Sequence, residues 1–116
     1  MKSIVNKPWG SYQIIDQGKN FVVKNIVVKP DCKLSLQSHE HRSEHWIIVE
    51  GRAEVNVNDN ITTLETNQST YIPSKTKHRL ANNHDKNLII IEVWYGAILN
   101  EEDITRYEDI YNRVKK

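Results

Sequence analysis

Leu34-Ser35-Leu36-Gln37-Ser38-His39-Glu40-His41-Arg42-Ser43-Glu44-His45-Trp46-Ile47-Ile48-Val49-Glu50-Gly51 is the stretch on which the reading of this chain turns. Three of the five histidines fall within seven residues here, beside Glu44. Neutral imidazole with carboxylate is the usual donor set for zinc, manganese or iron. The stretch also alternates. Lys33, Ser35, Gln37 and His39 share one face of an extended segment, and Leu34, Leu36 and Ser38 share the other. After a turn, Glu44, Trp46 and Ile48 point one way and His45, Ile47 and Val49 the other, so both faces of this second strand call for cover. Taken alone, a patch rich in histidine is more often a solvated polar hairpin, and the rest of the chain has to decide.

Outward from that stretch, period-two alternation broken by turn residues predicts strands over residues 11–15, 21–28, 33–39, 44–49, 52–58, 61–65, 69–72, 78–81 and 88–94. This is the pattern of a sandwich or barrel. Lys7-Pro8-Trp9-Gly10 and Lys29-Pro30-Asp31 punctuate the first half, and Pro73 ends the strand before it. Ala53, Val55 and Val57 alternate with polar neighbours, as in a half-buried strand. Residues 88–94 are almost wholly apolar and rich in β-branched side chains, with Glu92 as the one charged interruption. Near the end the pattern changes. Asn100 with Glu101, Glu102 and Asp103 resembles a capped first turn, and Ile104, Tyr107, Tyr111 and Val114 follow at helical spacing, predicting a short C-terminal helix on the sheet.

The chain has 116 residues and a net charge of +1, which predicts one domain over residues 1–116 with a single core. Its basic residues are spread along the sequence, which argues against nucleic acid or a membrane surface as partner. No apolar run has the length of a membrane span and the start lacks the apolar segment of a signal peptide, so a cytoplasmic location is expected. Cys32 is the only cysteine, which excludes an internal disulfide.

Two distant spacings then match together. Glu44 is separated by six residues from Gly51, and Pro73 by four from His78, which in turn is separated by three from Asn82. The chain in this respect resembles the cupins, antiparallel β-barrels of jelly-roll type whose two motifs bring histidines and a glutamate onto one interior. The resemblance implies an all-β barrel holding a divalent metal. Asn67 and Lys75 stand where the second cupin motif has glycines, so that turn must be held without glycine or rebuilt.

Longer segments narrow the resemblance. Lys7-Pro-Trp-Gly-Ser-Tyr12, Leu34-Ser-Leu-Gln-x-His-x-His-Arg-x-Glu-His-Trp46, Glu65-x-Asn-Gln-Ser-Thr-Tyr-Ile-Pro73, His78-Arg-Leu-x-Asn82 and the tail from Asp103-Ile104 to Glu108-Asp109 are similar to the type II mannose-6-phosphate isomerase domain. That domain usually forms the C-terminal part of a bifunctional enzyme with a mannose-1-phosphate guanylyltransferase. The nucleotidyltransferase half and its Gly-rich loop are missing from this sequence, so a separate isomerase domain is expected.

The resemblance implies a ligand set. Taking His39 and His41 as the His-x-His pair leaves one residue too few before Glu44, whereas Gln37 and His39 restore the spacing with glutamine in the first position. Type I mannose-6-phosphate isomerases carry Leu-Ser-Ile-Gln-x-His and a zinc set of Gln, His, Glu and His, which Gln37, His39, Glu44 and His78 would reproduce. His39, Glu44 and His78 are therefore the expected ligands, with Gln37 or His41 completing them. Zinc is the first choice of metal, with manganese, cobalt or iron as alternatives. His45 falls on the face opposite Glu44, and Trp46 is expected in the core or along a sugar pocket.

An aldose-ketose isomerase moves a proton between C1 and C2, which requires a base, for which Glu44 with a free oxygen or a metal-bound hydroxide are candidates. A phosphate group requires cations, for which Lys33 and Arg42 are first choices, with Arg79 and Lys77 behind them. A non-catalytic cupin binding a sugar phosphate or sugar nucleotide is the alternative, as is another cupin enzyme such as an epimerase or iron oxygenase. The apolar face at His45, Ile47 and Val49 has no evident cover within the chain, which predicts a homodimer.

Overall fold

The computed structural model describes residues 3–108. Its strands are β1 (Val5–Lys7), β2 (Gly10–Gln17), β3 (Phe21–Val28), β4 (Cys32–Lys33), β5 (Leu36–Ser38), β6 (Ser43–Glu50), β7 (Ala53–Val57), β8 (Asn60–Leu64), β9 (Ser69–Ile72), β10 (His78–Asn82), β11 (Leu88–Tyr95) and β12 (Thr105–Glu108). One sheet has the order β1-β2-β3-β11-β6-β9, the other β12-β5-β10-β7-β8 with β4 also paired to β10. All the pairings are antiparallel. The result is the expected all-β barrel.

Alternation decides which side chains enter the space between the sheets, and register decides who meets whom. Across β3, β11 and β6, Ile26 lies opposite Ile90 and Ile90 opposite Ile48. One rung further, Lys24, Glu92 and Trp46 are in line, and the next holds Val22, Trp94 and Glu44. The three strands therefore pass together from an apolar end to a polar one. At the apolar end Val28, Ile48, Val55, Leu80, Leu88 and Ile90 are buried in a single core. Each such side chain contributes roughly 1.5–3 kcal/mol of burial. That dry end holds the sheets apart at a fixed spacing, and the polar end opens beside it as a cavity.

The predicted strand over residues 33–39 is divided. Lys33 pairs with Ala81 of β10, while Gln37 pairs with His78 of the same strand. Four residues thus span what three span opposite, which is one extra residue and a change of face. Gln37 shares the inward face with His78, and Lys33 the outward face with Ala81, so the two do not share a face as simple alternation predicts.

The C-terminal helix does not form where it can be followed. Glu101 and Glu102 make a turn, and β12 then pairs with β5, Thr105 opposite Ser38 and Arg106 opposite Gln37. Asn100 does accept a bond from the Glu102 N–H at 2.9 Å, but this local turn leads into a strand. The open edge of β5 offers backbone partners to a Thr-Arg-Tyr segment suited to a strand, and tertiary pairing overrides the helical spacing. Tyr111 and Val114, on which that expectation also rested, lie outside the described residues.

Candidate metal centre

His39 follows β5, Glu44 lies on β6 and His78 opens β10; all three are buried, and one donor atom from each lies within 4.8 Å of the others. His39 Nε2 is 3.2 Å from Glu44 Oε2, and His78 Nε2 is 4.0 Å from Glu44 Oε1. The opposite ring nitrogens are fixed by backbone. His39 Nδ1 donates to the Asp103 carbonyl at 2.7 Å and His78 Nδ1 to the Thr76 carbonyl at 3.0 Å. Because a carbonyl only accepts, Nδ1 carries the proton in each ring and Nε2 presents its lone pair to Glu44.

The electrostatics keep these groups in ligating form. Burial lowers the His39 pKa to about 4, against the pull of Glu44, and burial likewise lowers that of His78. Burial alone would raise Glu44, but His78, Arg42 and His39 outweigh it and hold the carboxyl down at about 2. Two neutral imidazoles and one carboxylate, aimed at a common point in a cavity wall, fit a divalent metal such as zinc.

Arg42 and Trp46 hold Glu44 in place. Arg42 Nε donates to Glu44 Oε2 at 2.8 Å and Trp46 Nε1 to Oε1 at 2.9 Å. The guanidinium lies 3.4 Å from the Trp94 ring centroid, and its Nη2 donates to His39 Nε2 at 3.2 Å. Coordination at His39 Nε2 requires Arg42 to give up that last bond. The turn preceding Glu44 is pinned by Asp103, whose two oxygens each accept a backbone N–H at 2.9 Å, from Glu40 and His41. Gly96 lies against it: a Cβ there would come within 2.2 Å of the His41 carbonyl. The turn carrying Lys75 bonds to the other side of the site, the Lys75 N–H donating to the His39 carbonyl at 2.6 Å. Asn67 and Lys75 take φ of 74° and 62°, so both positions keep a left-handed backbone without glycine.

The structure separates the other expected site residues. Gln37 lines the cavity opposite His78. His41 is exposed and stands outside the donor group, because the turn interrupts alternation between β5 and β6. Lys33 and Arg79 do not line the cavity either, a correction to their expected place beside it. The extra residue after Lys33 turns it outward, and Arg79 lies next to His78 on the opposite face of β10, where it bonds Glu108 and the Leu34 carbonyl. Lys77 lies 4.3 Å from the Tyr107 ring centroid. His45 is on the outer face, 4.8 Å from the Tyr71 ring.

The cavity, about 780 Å³ counting the part open to solvent, holds residues the sequence reading passed over, among them Lys24, Glu92, Trp94, Tyr12 and Glu101. Lys24 and Glu92 are both buried. Burial raises Glu92 to about 8, Glu44 adding to the effect and Lys24 opposing it, while Trp94 Nε1 donates to Oε1. Burial lowers Lys24, against the attraction of Glu92 and Glu101. The signal was present as charge in phase with the apolar face of each strand. Lys24 alternates with Ile26 and Val28, and Glu92 with Leu88 and Ile90.

A family model described as "Mannose-6-phosphate isomerase C-terminal" matches residues 1–109. The "Alginate biosynthesis protein AlgA" of Pseudomonas putida is 54% identical over 109 residues, which are 94% of this chain and 22% of that protein. The "Mannose-1-phosphate guanylyltransferase ManC" of Salmonella typhimurium is 46% identical over 110 residues, 95% of this chain and 23% of that protein. The chain thus spans under a quarter of the length of either relative. Among solved structures, an RmlC-like cupin from Shewanella frigidimarina superposes with a TM-score of 0.75 at 22% identity, over 87% of this chain and 86% of that one, and shows the fold.

Proposed function

Since the chain belongs to the mannose-6-phosphate isomerase C-terminal family, we propose that it is a metal-dependent isomerase interconverting mannose 6-phosphate and fructose 6-phosphate. The observation that carries this reading is the buried His39, Glu44 and His78 donor set, of which Glu44 and His78 line a cavity that also holds Gln37, Lys24 and Glu92. Gln37, opposite His78, is the fourth ligand we propose, and zinc the first metal to try, with manganese, cobalt or iron after it. A metal bound there would supply the Lewis acid that polarises the sugar's C1 and C2 oxygens.

The protein's own part is to position and to move a proton. Glu44 was a candidate for the base on condition of a free oxygen, and both of its oxygens accept hydrogen bonds, from Arg42 and Trp46. It is therefore assigned to the metal. Among the described residues the other buried carboxyl along the cavity is Glu92, one rung from Glu44 and facing the same space. In the metal-free protein burial holds this carboxyl well above the usual glutamate range, which suits it to take the proton from C2 and return it at C1 while the O2 hydroxyl proton passes to O1. Arg42 holds Glu44 and covers Trp94, which makes it a positioning residue.

No helix among the described residues is long and apolar enough to cross a membrane; a cytoplasmic site of action is part of the proposal. So is a homodimer through the outer face of β6, where Ile47 and Val49 are 42% and 49% exposed. Monomeric mass in light scattering would exclude it. The central test is a coupled assay in which purified protein, given a divalent metal and mannose 6-phosphate, produces fructose 6-phosphate. Absence of product with zinc, manganese, cobalt and iron alike would overturn the isomerase reading, and metal-dependent binding without turnover would put a binding module in its place.

A further inference from the structure

A sugar phosphate brings a dianion, and the cations expected from sequence to meet it are not available for that task. Lys33 and Arg79 point away from the cavity, Lys77 lies over Tyr107, and Arg42 is engaged by Glu44 and His39. Lys24 is differently placed. Its ammonium is 4.0 Å from the Tyr12 ring centroid and 3.8 Å from that of Trp94, in the cavity wall, with Glu92 beyond it in the same rung. Its carboxylate partner does not come from a neighbouring strand. Glu101 reaches in from the turn between β11 and β12 and accepts from Lys24 Nζ at 2.5 and 2.9 Å, and the Tyr12 phenol, raised first by burial and then by the Glu101 charge, stands near the same carboxylate.

The two halves of this pair are unequal. The Lys24 side chain is 6% exposed and that of Glu101 is 48% exposed. Lys24 cannot leave the wall, whereas rotation about the Glu101 side-chain bonds carries its carboxylate into water. The turn itself need not open, since it is held separately through Asp103 on Glu40 and His41 and through the Asn100 carbonyl, which accepts from Arg42 at 3.3 Å. A second cation, Lys7, lines the same cavity and stands 6.0 Å from the Tyr12 ring, and Arg106 lines it as well. Replacing a single carboxylate by a phosphate dianion strengthens every one of these attractions, and the displaced half-exposed group recovers its hydration.

We propose that the Lys24 ammonium and the Tyr12 hydroxyl form the seat of the substrate's phosphate group, which Glu101 occupies in the free protein and vacates when the sugar phosphate binds. The choice of a sugar phosphate as ligand rests on the isomerase reading; the seat and its internal occupant do not.

Binding is therefore measured apart from turnover. Isothermal titration of the full chain with inorganic phosphate and with mannose 6-phosphate, in excess chelator so that no metal can hold the anion, should show both bind. Glu101→Gln, which leaves the shape but removes the competing charge, should tighten both about tenfold. Lys24→Met should weaken both by roughly tenfold to a hundredfold, the worth of a charge-assisted hydrogen bond. Tyr12→Phe gives a smaller loss of about threefold to tenfold and serves if Lys24→Met fails to fold. Equal or weaker phosphate binding in Glu101→Gln would show a structural ion pair and overturn the proposal. Binding of inorganic phosphate without mannose 6-phosphate would also overturn it, by making the seat one for free phosphate. If the binding pattern holds and no metal supports turnover, the isomerase reading fails and the seat stands. If turnover is found and Lys24→Met leaves KM for mannose 6-phosphate unchanged, the seat fails alone.

Discussion

Glu92→Gln should make the protein more stable in alkali and inactive at the same time. Glu92 is 7% exposed and its pKa, 4.5 in an unperturbed glutamate, stands at about 8, first because burial penalises its charge and next because Glu44 repels it. A carboxyl with a raised folded pKa binds more protons folded than unfolded. Its contribution is complete below pH 4.5 and is lost as pH rises towards 8. At about 1.4 kcal/mol per pH unit, the whole interval is worth up to about 5 kcal/mol, and the span from about pH 5.5 to 7.5 about 3 kcal/mol. Glutamine keeps the acceptor for Trp94 Nε1 and cannot ionise, so the variant escapes the loss. Urea unfolding of both proteins in chelator, across that span, isolates the effect, because the neutral burial of His39 and His78 is common to both and cancels in the difference. The gap between variant and wild type should widen by roughly 1.4 kcal/mol with each pH unit. A gap constant to within about 0.5 kcal/mol would refute the raised pKa. Turnover of the metal-loaded variant should fall by about 10²-fold or more with metal content unchanged; retained turnover would remove Glu92 from the proton path.

Further outcomes follow from the same geometry. His39→Ala, Glu44→Gln and His78→Ala should each lose the bound divalent metal by elemental analysis, while His41→Ala should retain it; metal loss in His41→Ala with full content in Gln37→Ala would return the fourth position to His41. Arg42→Met leaves the buried Glu44 carboxylate without its cation and should cost about 3–5 kcal/mol in metal-free protein, much less once zinc is added, as read by denaturation with and without metal. Lys75→Gly relieves a left-handed backbone at φ 62° and should leave stability unchanged or raise it by up to about 1 kcal/mol, whereas a β-branched Lys75→Val should lower the melting temperature.

Which face a residue occupies was legible strand by strand; which rung it occupies was not. β3 and β9 run over the residues that alternation marks, and the inward set of β6, Glu44, Trp46 and Ile48, is buried as its period requires. His39, Glu44 and His78 could be picked out because the intervals to Gly51 and Pro73 are set by the turns that return each strand to the same end of the barrel. Lys33 was misplaced because an extra residue between two paired positions leaves no mark on local composition, yet it reverses every face beyond it. The segment after Asn100 was misread for a related reason: Ile104 and Tyr107 satisfy a helical spacing, and only the open edge of β5, formed far away in sequence, makes a strand the better use of their backbone. Lys24 and Glu92 lie between these cases. Each stands out as a charge in phase with an apolar face, which ordinarily disqualifies a residue from a core. Register alone shows that they are neighbours in one rung with Trp46, next to the rung of Glu44, so that two apparent defects in separate strands become the floor of one site. A buried charge on the inward face of a barrel strand is thus better evidence for a site than an exposed cluster of the same residues, because only a paired or functional role offsets its desolvation.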